Sequence, residues 1–252
     1  MPVIKKITGD HFRQYGWVIF FLSVSAVILF QILRVCWFAV KAGPIYSQAP
    51  FSRHNPSARF KILFIGDSTA VGTGALDNQK TTAGYFGRDF PDAHIANFGK
   101  NGQRLKDILE GFSPVENEKY TLMVIQIGGN DILRFTPLKE VRRDLSIILS
   151  RAKRLAGHVV ILHSGNIGAA PLFSWPFNFI YTARTKKVRE IYLQIAKEKG
   201  ALYIDLFTET SEDIFLKDTH RFYCSDYLHP SGDGYLMWYN KIRKALAEAK
   251  VL

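Results

Sequence analysis

The chain has 252 residues, 47% of them hydrophobic and 13% aromatic, which suits one α/β domain of ordinary size with an appendage and excludes an intrinsically disordered protein. Its formal net charge of +11 invites acidic partners, yet no nucleic-acid motif and no ladder of basic and aromatic residues accompanies that charge, so no nucleic acid is expected. The two cysteines, Cys36 and Cys224, lie far apart with no CxxC pair and no Cys/His cluster, so neither a metal nor another cofactor is expected.

Gly16 to Leu33 reads GWVIFFLSVSAVILFQIL, in which Gln31 is the one strongly polar residue. As a helix it would be roughly 27 Å long at 1.5 Å per residue, close to the ~30 Å hydrocarbon core of a bilayer. The chain stays apolar to Val40, Arg34 can snorkel, and Trp17 and Trp37 sit near the two ends, where interfacial aromatics are favoured. A buried core helix and a cleaved signal peptide are the alternatives. The apolar stretch is long for a signal, however, and Val40-Lys41-Ala42 is a poor cleavage site. A retained anchor over 1–41, with 16–40 in the membrane, is the favoured reading. Residues 1–60 carry seven basic side chains against Asp10 alone, a bias that attracts anionic lipid. Lys5, Lys6 and Arg13 on one flank nearly balance Arg34, Lys41 and Arg53 on the other. The expected orientation keeps the N-terminus cytoplasmic and the following domain outside. Residues 42–58 hold three prolines and no periodicity, which reads as a linker to a domain over 59–252.

Within that domain, apolar runs alternate with amphipathic stretches. Strands are expected at Phe60 to Ile65, His94 to Phe98, Leu122 to Ile127, Val159 to His163 and Ala201 to Leu206. Helices are expected at Leu138 to Leu155, with Val141, Leu145, Ile148 and Ala152 on one stripe, at Thr182 to Lys199 and at Ser231 to Lys250. This alternation implies a three-layer α/β/α sandwich around a five-stranded parallel sheet, preceded by the transmembrane helix. Ligands of such sheets bind at the carboxyl ends of the strands.

The polar residues collect at those ends. The first strand stops at Gly66-Asp67-Ser68, within FIGDSTAVGTG. The second is followed by Asn97 to Gly102, the third ends in Gly128-Gly129-Asn130-Asp131, and Asp226-Tyr227-Leu228-His229-Pro230 lies beyond the fifth. A serine hydroxyl needs a base to become a nucleophile, an imidazole suits that task, and the imidazolium then needs a carboxylate. A glycine N–H or a side-chain amide suits an oxyanion.

These four stretches, in this order, resemble the SGNH or GDSL-type esterases and lipases from about Lys61 to about Trp238. The tail HPSGDGYLMW is similar to the stretch that begins at that family's histidine. The resemblance implies a flavodoxin-like SGNH hydrolase fold, Ser68 as nucleophile, Asp226 and His229 completing a triad, and an oxyanion hole from the N–H groups of Ser68 and Gly102 with the Asn130 amide. Gly99 shares a loop with Gly102 and competes for that place. Thr69 stands after the serine where the family often has leucine.

Other residues are read as structural. Asp67 and Asp131 are expected to fix their loops, His163 to be a satisfied structural histidine and Cys224 a buried thiol. His11, His54, His94, His158 and His220 have no comparable partner set. A phosphate-binding reading of FIGDSTAVGTG fails because no lysine follows Gly74 and GxGxxG is absent in that register. A flavin or nucleotide site would leave Asn130 and the Asp226–His229 pair unexplained.

Gly168 to Arg184, GAAPLFSWPFNFIYTAR, comes after the fourth strand and should overhang the active edge. Its aromatics either pack onto the domain, wall an acyl chain or dip into lipid. The expected function is a membrane-anchored serine hydrolase of lipid or other small acyl esters. A carbohydrate O-acetyl esterase of the cell envelope and an inactive membrane-tethered binding module are the alternatives. The oligomeric state is left open.

Overall fold

The computed structural model describes residues 3–43, 45, 48–110, 112 and 118–251, with side chains from Tyr15 onward apart from that of Glu110. The side chains of Lys5, Lys6, Asp10, His11 and Arg13 therefore lie outside the described residues, as do Pro44, Tyr46 and Ser47 of the expected linker. The chain divides into two units, Met1–Lys41 and Ala42–Leu252.

The first unit is one helix, α1 (Val3–Lys41). Its segment Tyr15–Lys41 is long and apolar enough to cross a membrane, and 6% of its apolar window is buried. A core helix would hide such side chains, but Trp17, Phe21, Leu33 and Trp37 are exposed. Ser23 Oγ donates to the Ile19 carbonyl at 2.8 Å, so this hydroxyl needs no water.

The second unit is built on five parallel strands: β1 (Lys61–Gly66), β2 (His94–Asn97), β3 (Tyr120–Gln126), β4 (Ala156–Leu162) and β5 (Leu202–Tyr203). Their order is β2-β1-β3-β4-β5, the flavodoxin-like arrangement. Side chains alternate between two buried faces. Leu63, Ile65, Met123, Ile125, Val159 and Ile161 enter one core, while Ile62, Phe64, Leu122, Val124, Val160 and Leu162 enter the other. Both faces being apolar is what a parallel sheet between helical layers requires.

The first core is closed by α6 (Leu138–Leu155) and α7 (Phe177–Lys199), the second by α3 (Thr82–Asp89) and α10 (Gly232–Glu248). The α6 stripe of Val141, Leu145, Ile148 and Ala152 is fully buried. Each such aliphatic side chain larger than alanine contributes roughly 1.5–3 kcal/mol. Helix α7 starts earlier than its apolar spacing predicts, immediately after Pro176, and ends at Gly200, whose φ of 63° gives a left-handed cap. Ser231 stands outside α10 as its N-cap and accepts from the Gly234 N–H at 3.3 Å.

Two further segments differ from expectation. Strand β5 is two residues long, not six. Ile204 N still donates to the Ile161 carbonyl at 2.9 Å, but Asp205 then accepts from Phe207 N at 3.1 Å and pairs with Arg189, which turns the chain away. Within 42–58, Arg53 docks on the sheet edge. Its N–H and C=O bond Ile95 at 2.8 and 2.9 Å, and its guanidinium donates to the carbonyls of Gly87, Phe90 and Pro91.

The end of β1 is the tightest point of the sheet. Gly66 has φ +151°, and a Cβ there would lie 1.8 Å from the Gln126 carbonyl oxygen. That oxygen accepts the Asp67 N–H at 2.9 Å. Gly66→Ala should therefore cost about 1–3 kcal/mol through overpacking, read as a lower urea midpoint.

Candidate active site

The turn after Gly66 is built by a carboxylate. Asp67 is buried and its Oδ1 accepts from Thr69 N at 2.9 Å and Thr69 Oγ1 at 2.8 Å. This caps α2 (Ser68–Val71), a single turn closed by Gly72 in the left-handed conformation. Ser68 is its first residue, so its N–H has no partner within the helix. The hydroxyl of Thr69, in the position where the resemblance favours leucine, is what binds the cap.

Ser68 is 8% exposed and lines a cavity of about 280 Å³ at the carboxyl edge of the sheet. Its Oγ lies 2.8 Å from His229 Nε2. His229 Nδ1 lies 2.6 Å from Asp226 Oδ2. The hydrogen-bond network assigns the imidazole Nδ1–H to Asp226 and leaves Nε2 to accept from the serine.

Asp226 and His229 belong to a loop between α9 (Thr219–Phe222) and α10. Asp226 Oδ1 accepts from Leu228 N and His229 N, each at 2.8 Å, and from Cys224 Sγ at 3.0 Å. Cys224 N in turn donates to the His229 carbonyl at 2.9 Å. Burial pushes the Asp226 carboxyl up, but the bonds and charge of His229 together with the Cys224 thiol outweigh it and hold the group well below the ordinary carboxylate range. Burial, then the neighbouring Asp226 charge, pushes the Cys224 thiol up. Cys224 is half-buried and touches the candidate triad, a contact that sequence reading did not assign; its position two residues before Asp226 was the available signal. The loop after β1 packs against this one at Gly74 (φ +101°), where a Cβ would lie 2.5 Å from the Pro230 carbonyl oxygen and 3.1 Å from His229 Cβ.

The other expected residues meet at the same cavity. Asn130 is the second residue of α5 (Gly129–Leu133), lines the cavity, and donates from Nδ2 to the Gln103 carbonyl at 3.1 Å. Gly102 also lines it, with φ +78°. Gly99 does not. Its N–H is taken by Asn97 Oδ1 at 2.9 Å, and a Cβ there would lie 2.8 Å from Val71 N. It is a packing glycine.

Asp131 stays structural, its Oδ2 accepting from Leu105 N at 3.0 Å. His163 lies behind the site, fully buried. Its Nε2 accepts from the Tyr203 hydroxyl at 2.9 Å and its Nδ1 bonds the Ser164 carbonyl. The aromatic segment divides. Phe173 and Tyr181 pack into the cores, Trp175 and Phe179 are exposed, and none of the four lines the cavity. The apolar wall comes instead from Ile167, Leu206, Phe215, Tyr223 and Trp238, with Asn166 and the buried Asp213 among them. These positions are scattered along the chain, so no local motif announces them.

The sequence matches the model of the GDSL-like lipase/acylhydrolase family over residues 64–237. The chain belongs to that family. It is accordingly a carboxylic ester hydrolase. No curated protein sequence matches it. Solved structures that share its fold include the following three. LAE5, an α/β hydrolase enzyme from the metagenome of Lake Arreo, is 19% identical with a TM-score of 0.59 over 75% of this chain and 96% of its own. Axe2, an acetylxylan esterase from Geobacillus stearothermophilus, is 21% identical with a TM-score of 0.56 over 75% and 94%. TesA is 20% identical with a TM-score of 0.60 over 76% and 99%. At these identities the likeness is one of fold.

Burial lowers His163 to about 4 from 6.5. Between those values the folded protein binds fewer protons than the unfolded chain. Stability is thus full above pH 6.5 and falls as pH drops toward 4, by on the order of 3 kcal/mol. A His163→Gln variant should lose this part of the slope in denaturation midpoints measured from pH 7 to pH 4.

Proposed function

We propose that this hydrolase uses Ser68 as nucleophile, His229 as general base and acid, and Asp226 as the carboxylate that orients and stabilises the imidazolium. The observation that carries the reading is the continuous relay from Ser68 Oγ to His229 at 2.8 Å and on to Asp226 at 2.6 Å, opening onto a cavity. Ser68 Oγ attacks the acyl carbon while its proton passes to Nε2. The C–O bond to the alcohol then breaks and Nε2 protonates the departing oxygen. Water then attacks the acyl carbon as its proton passes to Nε2, the bond from that carbon to Ser68 Oγ breaks, and Nε2 returns the proton to Oγ as the acid leaves. The Ser68 and Gly102 N–H groups and the Asn130 amide receive the oxyanion in both halves. These distances also count against an inactive binding module.

The substrate favoured here is a lipid or other small acyl ester reached by a membrane-anchored enzyme, its apolar part against Ile167, Leu206, Phe215 and Trp238. The anchor is α1, and the domain is placed outside the cytoplasm. A carbohydrate O-acetyl ester is the second reading. What favours it is the mixture of Asp213 and Asn166 with Tyr223 and Trp238 around one cavity, since carboxylate, amide and aromatic faces suit a hydroxylated alcohol.

A fluorophosphonate probe should label the wild-type chain at Ser68, and Ser68→Ala should abolish labelling. A folded wild-type chain that stays unlabelled overturns the mechanism. Asn130→Ala should lower turnover roughly 10²-fold with its unfolding midpoint little changed; near-normal turnover removes Asn130 from the oxyanion hole. Among esters graded by acyl length, turnover confined to acetylated sugars selects the carbohydrate reading.

A further inference from the structure

Exposed apolar side chains stand around the start of a helix that packs on a cavity-bordering turn. Trp175, Phe179 and Ile180 are 68%, 64% and 44% exposed. They lie at the start of α7, whose first turns pack on the short turn Ile167–Ala169. A Cβ on Gly168 would stand 2.2 Å from the Asn178 carbonyl oxygen and 2.3 Å from Thr182 N, and the neighbouring Ile167 lines the cavity. From the same turns, Tyr181 reaches Phe135 with ring centroids 5.5 Å apart. Phe135 is itself exposed and lies two residues beyond the cavity-lining Leu133.

Cations border this surface. The exposed Arg134 approaches within 3.6 Å of the place a Gly102 Cβ would take. Lys187 is exposed two turns along α7 from Ile180, on the same side of the helix. Single exposed apolar residues need no explanation, but a cluster rimmed by charge of one sign marks a contact surface.

We propose that this surface seats on an anionic lipid bilayer, with Trp175, Phe179 and Ile180 at the boundary between headgroups and acyl chains and Arg134 and Lys187 against lipid phosphates. Aromatic side chains favour that boundary, and basic ones are drawn to anionic headgroups. A bilayer is the partner chosen because the chain carries its own candidate span. Arg53 joins the domain edge twelve residues after Lys41, and twelve residues reach at most roughly 40 Å. The inference rests on reading α1 as an anchor and is independent of the catalytic roles. Seated this way, the cavity opens beside the membrane surface, so an ester held in the bilayer reaches Ser68 without crossing bulk water.

The test uses the full chain carrying Trp17→Phe and Trp37→Phe, which leaves Trp175 and the buried Trp238. It is reconstituted in vesicles of phosphatidylcholine and phosphatidylglycerol, with and without brominated acyl chains that quench indole on contact. Seating to ~5–10 Å should weaken Trp175 emission at least about twofold in the brominated vesicles. Quenching should fall in pure phosphatidylcholine, in high salt and in the double variant Phe179→Ser/Ile180→Ser, while turnover of a water-soluble ester by that variant stays unchanged. The difference between wild type and Trp175→Phe gives the same result without the anchor substitutions. Emission indifferent to bromine in the mixed vesicles, or equal quenching in the Phe179/Ile180 variant, overturns the proposal. This readout involves no ester hydrolysis, so it stands or falls separately from the triad.

Discussion

The two oxygens of Asp226 are committed to different tasks. Oδ1 holds the loop, taking two backbone N–H groups and the Cys224 thiol, while Oδ2 meets His229 Nδ1. Four donors on one buried carboxylate keep it ionised against the cost of burial. The same bonds fix the spacing of Asp226 and His229, because the N–H of His229 itself is among the donors. Loop shape and imidazole orientation therefore have one cause. Loss of the carboxylate would release both at once.

Asp67 is the instructive contrast. It too is a buried carboxylate that closes a tight turn, here through the Thr69 N–H and hydroxyl. Yet burial outweighs those bonds and its carboxyl is pushed up, with only a weaker favourable influence from His229. The two turns thus resemble each other in backbone logic and differ in electrostatics. One carboxylate is held ionised against the His229 ring; the other is a cap. Gly66 and Gly74 bring the turns together, the first by letting β1 press against the Gln126 carbonyl and the second by letting the serine loop touch the histidine loop.

Periodicity and strand ends account for the parts of the molecule that were legible in the sequence. The apolar run Ile62 to Ile65, read as a buried strand, and the α6 stripe both depend on local sequence, and both appear as read. Ser68, Gly102, Asn130 and His229 at the cavity, and Asp226 against His229, were legible because each sits in a short motif at the end of a strand or before a helix. The lost length of β5 was not legible, since LYIDLF is apolar apart from Asp205 and the Arg189–Asp205 pairing that ends the strand is tertiary. Gly99 and Gly102 could not be ranked by sequence, because their difference lies in whether Asn97 takes the N–H. The cavity wall was invisible for the same reason: Leu206, Phe215 and Trp238 look like core residues, and they are core residues that also border a void.

The segment from Gly168 to Arg184 shows how one aromatic run can serve two environments. Phe173 packs inward from the turn before α7, and within α7 Tyr181 turns inward while Phe179 and Ile180 turn outward, so the segment splits between core and surface without any change in composition. An outward cluster of this modest size would bind a membrane weakly if the domain diffused freely. A tether changes that requirement. Holding a domain on a short chain beside a surface replaces free diffusion by an effective concentration in the millimolar range, so weak contacts suffice to orient it. For a hydrolase tethered as proposed, the useful property of such a surface is then orientation rather than affinity, which is the part the proposal gives to the exposed aromatics beside Arg134 and Lys187.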